Sequence, residues 1–422
     1  MKLKLASTDE AFQSEIRAFL ADYWEAGTHL VPGPRLWRAQ RSYTAALAER
    51  GWIAGHWPLR QGGAGWSGTQ RLLWERCVAS ACAPQLSSQG VDVLGPLIAR
   101  VGSGAQRALH LPAIAHGEVA WSQAFVEDAQ ELDLNQIMCR ATPGLGQQGN
   151  QWRLDGIKSW VLDMPPAELE QASWFYVLAD TSLGTASGGQ SGGQTATGTP
   201  SLGLFLVPAT SPGVSITPRP MIGDSGGQPM VHSVAFDAVQ LDADALLGAP
   251  DQGVSYVQEI ERSRLARPGM IARNHILFNE LRDFVESDPL WQDADFRARL
   301  HEVEVELAAL TALESRAWFD EGSGEQPRQP REALQLGLAA RIEPLNQKLA
   351  DLQVDALGYF AMPFVDFSAL DNEGSIGPEF AQPALLGMLS DRARAAVAAP
   401  REHLKDMIAK TVLALGDSSK AG

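Results

Sequence analysis

The stretch His116–Ala141, HGEVAWSQAFVEDAQELDLNQIMCRA, divides the chain into two kinds of sequence. Upstream of it, from Glu10 to about Ala115, apolar residues recur at helical spacing, as in Phe12, Ile16, Phe19 and Leu20, and then Tyr43 and Leu47. Downstream, Trp152–Leu154, Ser173–Leu178, Leu202–Val207, Val214–Pro218 and Val231–Phe236 are short β-prone runs parted by Gly, Pro and Asp. The stretch itself marks the change. Pro112 and Gly117 are read as the stop of the last upstream helix, and after Glu118 the chain is read as strand.

Beyond about Gly253 helical periodicity returns, with Val303, Leu307 and Leu310 on one face and Leu334, Leu338, Ile342 and Leu345 on another. The expectation is an α+β multidomain chain: an N-terminal helical domain (1–118), a middle β-barrel or sandwich domain (119–252) and a C-terminal four-helix bundle (253–422). Trp57–Gly65 (WPLRQGGAG) reads as a Gly-rich break between upstream helices. Leu183–Pro200 (LGTASGGQSGGQTATGTP) has almost nothing to bury and is expected to be a flexible hairpin loop. The polar segments Glu321–Pro330 and Asp371–Pro383 are expected to separate helices of the bundle.

Composition narrows the partners. A chain of 422 residues with 45% apolar content can bury several cores. Its 50 acidic residues against 34 basic ones, a net charge of −16, disfavour nucleic acid and anionic membrane. Cys77, Cys82 and Cys139 have no metal-ligand spacing, and an odd count disfavours a disulfide framework, so a reducing cytoplasm is the expected compartment. No apolar run approaches ~18 residues, so neither a signal peptide nor a membrane span is expected. None of the eight histidines pairs at ligand spacing, which makes His116 and His232 structural in this reading, and no metal motif, P-loop or nucleophile elbow is found.

Within the opening stretch, Gly117-Glu118, then Glu127, Asp133 and Leu134, then Arg140-Ala141 fall in one register without a gap. Leu154–Trp160 (LDGIKSW) and the segment Met221–Gly248 add two further matches. In these features the chain resembles the acyl-CoA dehydrogenase family over nearly its whole length. Arg341–Leu357, and Asp288-Pro289 with Arg297 or Arg299, are similar to the subgroup that acts on bulky or steroid-like acyl chains, which often assembles from two unlike subunits.

The resemblance implies FAD as cofactor, an acyl-CoA thioester as substrate, a homo- or hetero-oligomer with an acyl-CoA dehydrogenase-like chain, and electron-transferring flavoprotein as acceptor. It implies that the backbone of Gln123–Val126, Phe125 included, meets the pyrimidine edge of the flavin. It also implies that Trp160 packs on the dimethylbenzene side, that Leu162 borders the reactive edge, and that Gly358 lets the dinucleotide approach. Arg264 and Leu132 would contact substrate.

Several positions depart from the pattern. Val126 and Leu162 are aliphatic where the family has hydroxyls, Ala129–Leu132 replaces a small turn, and Asp355 and Tyr359 stand where Gln and Gly are usual. The usual base position falls on Ala398, followed by Ala399-Pro400. A base is nevertheless required, because desaturation removes an α proton as a hydride leaves the β-carbon. Glu261, preceding Arg262, is the expected carboxylate; spacing from Gly253 favours Arg264 as the matching arginine, which would leave Ser263 at the base position, and Glu402 is a second candidate. Three readings stay open: a partly degenerate subunit of an acyl-CoA dehydrogenase complex, an autonomous FAD-dependent enzyme using Glu261, and a non-redox acyl-CoA-binding or assembly protein.

Overall fold

The computed structural model describes residues 5–24, 34–84, 86, 89–128, 132–144, 151–162, 164–165, 169, 171–182, 201–224, 231–265, 267–319, 331–362, 377–378, 381–397, 401–413 and 415. The loop 183–200, the turn residues 129–131, the linker 321–330, the segment 398–400 and most of 371–383 lie outside the described residues.

Five helices come first: α1 (Ser7–Tyr23), α2 (Pro34–Glu49), α3 (Gly68–Ser80), α4 (Gly95–Val101) and α5 (Gly104–Ala115). A π-helical turn, Gln89–Leu94, leads directly into α4. Both α3 and α5 open on capping boxes, Ser67 with Gln70 and Ser103 with Gln106. Each such cap contributes about 1 kcal/mol by satisfying N–H groups that the first turn cannot. Pro112 does not stop α5. The ring costs the helix one donor, but the Pro112 carbonyl still accepts from His116 N, and the chain turns only at Gly117, whose φ is +69°.

The strands are β1 (Val119–Ala124), β2 (Arg140–Pro143), β3 (Gln151–Leu162), β4 (Ala172–Asp180), β5 (Leu202–Pro208), β6 (Val214–Arg219), β7 (Val231–Asp242) and β8 (Leu246–Leu247). They form one mixed sheet in the order β6-β7-β3-β2-β4-β5-β8, with β1 joined to β4. The β1–β4 pairing is parallel and in register from Val119↔Ala172 to Ala124↔Val177.

The C-terminal helices are α6 (Gly253–Leu265), α7 (Ala272–Val285), α8 (Ala294–Trp318), α9 (Arg331–Leu357), α10 (Ala381–Val397) and α11 (Arg401–Met407). The two apolar faces read from the sequence meet each other: Val303, Leu307 and Leu310 of α8 share a core with Leu338, Ile342 and Leu345 of α9. Leu334 belongs elsewhere, against Trp318 and Leu72 of α3. One core positions the candidate site, since it joins Val93, Leu94 and Leu97 to Trp121, Phe125 and Tyr176 of the sheet region and to Val257 and Ile260 of α6. No described helix is long and apolar enough to cross a membrane.

Candidate functional site

At the end of β1, the Gln123 side chain meets α6. Arg264 Nη1 donates to Gln123 Oε1 at 3.2 Å, and Tyr176 Oη lies 3.2 Å from the same oxygen. Tyr176 Oη is also 2.5 Å from Gln89 Oε1 on the π-helical turn. Gln123, Tyr176, Gln89 and Arg264 thus form one polar row drawn from β1, β4, the π-helical turn and α6. Apolar side chains close around it. Phe125 stands edge-on to the Tyr176 ring with centroids 5.4 Å apart, and Val126, Leu132, Leu134 and Ile137 pack on the same core. Five residues expected at the site, Gln123, Phe125, Val126, Leu132 and Arg264, are therefore gathered at one place. Glu261 is half-buried, has a polar interaction of its own, and precedes Arg264 by three residues, which sets the two along one side of α6.

The backbone after β1 is fixed by a closed ionic knot. Lys158 Nζ, wholly buried on β3, donates to the Phe125 carbonyl at 3.0 Å and to Glu127 Oε1 at 2.9 Å. The Glu127 carboxylate also accepts from Met138 N and Cys139 N, both at 2.8 Å. A buried ammonium costs several kcal/mol unless it is paired and hydrogen-bonded, so removing the carboxylate here would be costly. Ser159 N donates to the Val126 carbonyl, and the Ser159 hydroxyl donates to Asp128. Burial pushes the neighbouring Cys139 thiol up to about 11, so it is an inert core residue. Gly156, at a bulge in β3, is required because a Cβ there would stand 2.6 Å from Cys139 Cα.

Trp160 is nearly buried on β3, and the Arg219 guanidinium lies over its ring at 4.4 Å. Leu162 pairs with Val231 of β7. Among the described residues, Trp160 Nε1 has no hydrogen-bond partner, and neither does His232 Nδ1 on β7.

Gly358 belongs to a different element, the 3₁₀ turn Gly358–Ala361 that ends α9 and packs on α7 and α10 through Leu357 and Ala361. Its φ is +50°, and a Cβ there would meet nothing within 4 Å. Tyr359 is 93% exposed and Phe360 and Met362 are also exposed, so the tyrosine is turned outward beside an apolar patch. Asp355 forms an exposed ion pair with Arg299 at 2.7 Å. Asp288 caps the turn that begins at Pro289, and Arg297 bonds the Trp291 carbonyl, so this part of the sequence pattern serves helix ends and surface pairing. Ala398–Pro400 and the side chain of Glu402 lie outside the described residues, and Ser263 is half-buried on α6.

Residues 6–118 match the acyl-CoA dehydrogenase N-terminal domain. Acyl-CoA dehydrogenase IpdE1 of Mycobacterium tuberculosis (strain ATCC 25618 / H37Rv) is 31% identical over 252 residues, 58% of this chain and 60% of the relative. The chain thus spans less than two thirds of that relative's length. The fold of the whole chain matches solved structures. The ChsE4-ChsE5 complex from Mycobacterium tuberculosis gives a TM-score of 0.70 at 19% identity, with 98% of this chain and 99% of the other covered. An FAD-dependent dehydrogenase gives 0.69 at 14% identity, with 98% and 100% covered.

The residues of this acyl-CoA dehydrogenase fold suit a flavin in part. The unpartnered Trp160 Nε1 is a buried donor awaiting an acceptor, and the open, left-handed Gly358 leaves room for backbone approach from outside the chain. Against that, the Ser159 hydroxyl is spent on Asp128, while Val126 and Leu162 offer no hydrogen bond. Sequence reading missed Gln89 and Tyr176. Tyr176 sits inside the largely apolar β4 run WFYVLA, and Gln89 reaches it from a π-helical turn, so neither had a periodic signal to reveal it.

Proposed function

We propose that this chain is a subunit of an FAD-dependent acyl-CoA dehydrogenase whose flavin site is completed by a second chain. The observation that carries the reading is the Arg264–Gln123 hydrogen bond, which joins the first C-terminal helix to the strand end bearing the expected flavin contacts. The backbone of Gln123–Val126 would face the pyrimidine edge, held in place by Lys158 through the Phe125 carbonyl. Trp160 would line the ring, and Leu162 would border its reactive edge. Bound FAD would accept the hydride that leaves the β-carbon of the thioester.

Arg264, held by Gln123, presents positive charge beside the place where the thioester carbonyl must lie, which favours enolate-like charge as the α proton departs. Glu261, one turn back on α6, would take that proton, and Leu132 would wall the acyl group. The second chain is supported by two features. Side-chain hydroxyls are absent at Val126 and Leu162, each absence costing roughly 1–3 kcal/mol where a polar flavin atom goes unmet. The exposed apolar residues Tyr359, Phe360 and Met362 follow Gly358, where a Cβ would meet nothing within 4 Å. Electron-transferring flavoprotein would be the acceptor, and the cytoplasm the compartment.

A visible absorption spectrum of the purified chain, alone and after coexpression with an acyl-CoA dehydrogenase-like neighbour, tests this. Flavin absorbance only in the coexpressed complex is the expected result. Stoichiometric flavin in the lone chain, with turnover lost in Glu261→Gln, would instead make it an autonomous enzyme. Thioester binding with no flavin in either preparation would leave a non-redox acyl-CoA-binding protein.

A further inference from the structure

The amide of Gln123 is held by one of its two polar atoms only. Arg264 carries donors and no acceptor, so its hydrogen bond at 3.2 Å sets Gln123 with the carbonyl oxygen toward α6. Tyr176 Oη lies 3.2 Å from the same oxygen. Among the described residues, every hydrogen bond of the Gln123 side chain falls on that oxygen and none on the amide nitrogen. A primary amide has two N–H donors, and a planar group pinned at its oxygen turns them away from the guanidinium. The nitrogen is also within reach of a ligand. Trp121 Nε1, on the same strand, is sealed in the core without a partner, whereas Gln123 Nε2 is not sealed and belongs to a half-buried residue.

What stands behind the amide is firmly built. Tyr176 is wholly buried, packs edge-on to Phe125, and its hydroxyl is 2.5 Å from Gln89 Oε1. The π-helical turn that carries Gln89 is tied at Asp92, which bridges Arg71 at 2.6 Å and Arg267 at 3.4 Å. Val126, Leu132 and Leu134 are partly buried on the same core, and in apolar surroundings a directed N–H interacts more strongly than it does in water. An amide fixed in this way loses little rotamer freedom when an acceptor arrives. A fixed donor of this kind, beside a cation and with no acceptor of its own, fits a ligand that brings a carbonyl oxygen.

We propose that the Gln123 side chain is a substrate-binding donor, its Nε2 donating to the carbonyl oxygen of the acyl thioester. The inference rests on the acyl-thioester reading above. Of the atoms at the reacting end of such a substrate, only the carbonyl oxygen is a strong acceptor, since the α and β carbons offer none. No bond to Gln123 forms or breaks. Its N–H meets the oxygen in the bound thioester and holds it more strongly as negative charge gathers there with departure of the α proton. Arg264 has two functions in this arrangement: it supplies positive charge, and it fixes which way the neighbouring amide is turned.

The test is calorimetric titration of the purified chain, with whatever flavin and partner it retains, using octanoyl-CoA and S-octyl-CoA. The second compound is a thioether that keeps the chain and the coenzyme and lacks only the carbonyl oxygen. The parent protein is expected to prefer the thioester by roughly fivefold to tenfold, the size of one hydrogen bond. Gln123→Glu keeps an acceptor for Arg264 and Tyr176 but has no N–H to offer, and Gln123→Met has neither. Both variants should lose the preference while binding the thioether as the parent does. A preference lost in Gln123→Met and kept in Gln123→Glu would mean that the side chain serves only to hold Arg264, and it overturns this inference. So does equal affinity of the parent for the two compounds, which leaves the functional reading standing. Failure of both compounds to bind the parent overturns the functional reading and this inference with it.

Discussion

Two buried charge clusters in this molecule solve the same problem in opposite ways. Around Lys158, one ammonium, one carboxylate, one carbonyl and two backbone N–H groups are hydrogen-bonded to one another within 3.0 Å, with the positive and negative charges matched one to one. Around Asp92, two guanidiniums share one carboxylate, a second carboxyl is held near neutrality by burial, and a tyrosine hydroxyl goes unmet. The first cluster is closed because its task is to fix the backbone after β1. The second leaves the Tyr43 hydroxyl without a partner among the described residues. Burial of charge alone thus says little about function, and the informative quantity is the number of partners each group still lacks.

The largest effect should come from breaking the closed cluster. Glu127→Ala leaves Lys158 buried without its counter-charge and orphans Met138 N and Cys139 N, and about 3–5 kcal/mol of unfolding free energy should be lost in denaturant titration. A loss below about 1 kcal/mol would show that Lys158 reaches water easily and that the two clusters do not differ in kind.

A smaller, pH-dependent effect should distinguish the open cluster. Because Glu75 has a folded value of about 7 against an ordinary 4.5, the folded state holds its proton more tightly. That group's contribution is fully present below about 4.5 and is lost as pH rises to about 7. Glu75→Gln should therefore flatten the pH–stability curve between those values and leave the variant more stable than the parent at pH 8, by on the order of 2 kcal/mol. Parallel curves for the two proteins would mean that Arg267 and Arg71 neutralise Glu75 fully.

The smallest effect serves as a reference for both clusters. The Arg299–Asp355 pair is half exposed on each side. Arg299→Ala should change stability by less than about 1 kcal/mol, and high salt should remove most of that. A larger loss would mean that even surface pairs hold this chain together, which would blunt the contrast.

Much of this architecture was legible in the sequence because it is written in periodicity. Val303, Leu307 and Leu310 face Leu338, Ile342 and Leu345 as their 3.6-residue spacing required, and the β-prone runs became strands of one sheet. Gln123 and Arg264 are hydrogen-bonded, and Phe125, Val126 and Leu132 share the core beside them. Periodicity failed where a single residue overrode it. Pro112 sits inside α5, since its missing donor is tolerated three residues before the end, and Leu334 left its expected row to cover Trp318. The cluster around Asp92 was invisible for another reason. Its members come from positions 56, 71, 75, 92 and 267, each unremarkable in its own segment, and only the packing of α3 against the chain following α6 assembles them.

The row Gln89–Tyr176–Gln123–Arg264 also contains a competition. A phenol carries one proton, yet Tyr176 Oη faces two amide oxygens, Gln89 Oε1 at 2.5 Å and Gln123 Oε1 at 3.2 Å. Arg264 can only donate, and it donates to the second of these oxygens. A charge on α6 therefore bears on how a single proton divides between the end of β1 and the turn that also carries Asp92.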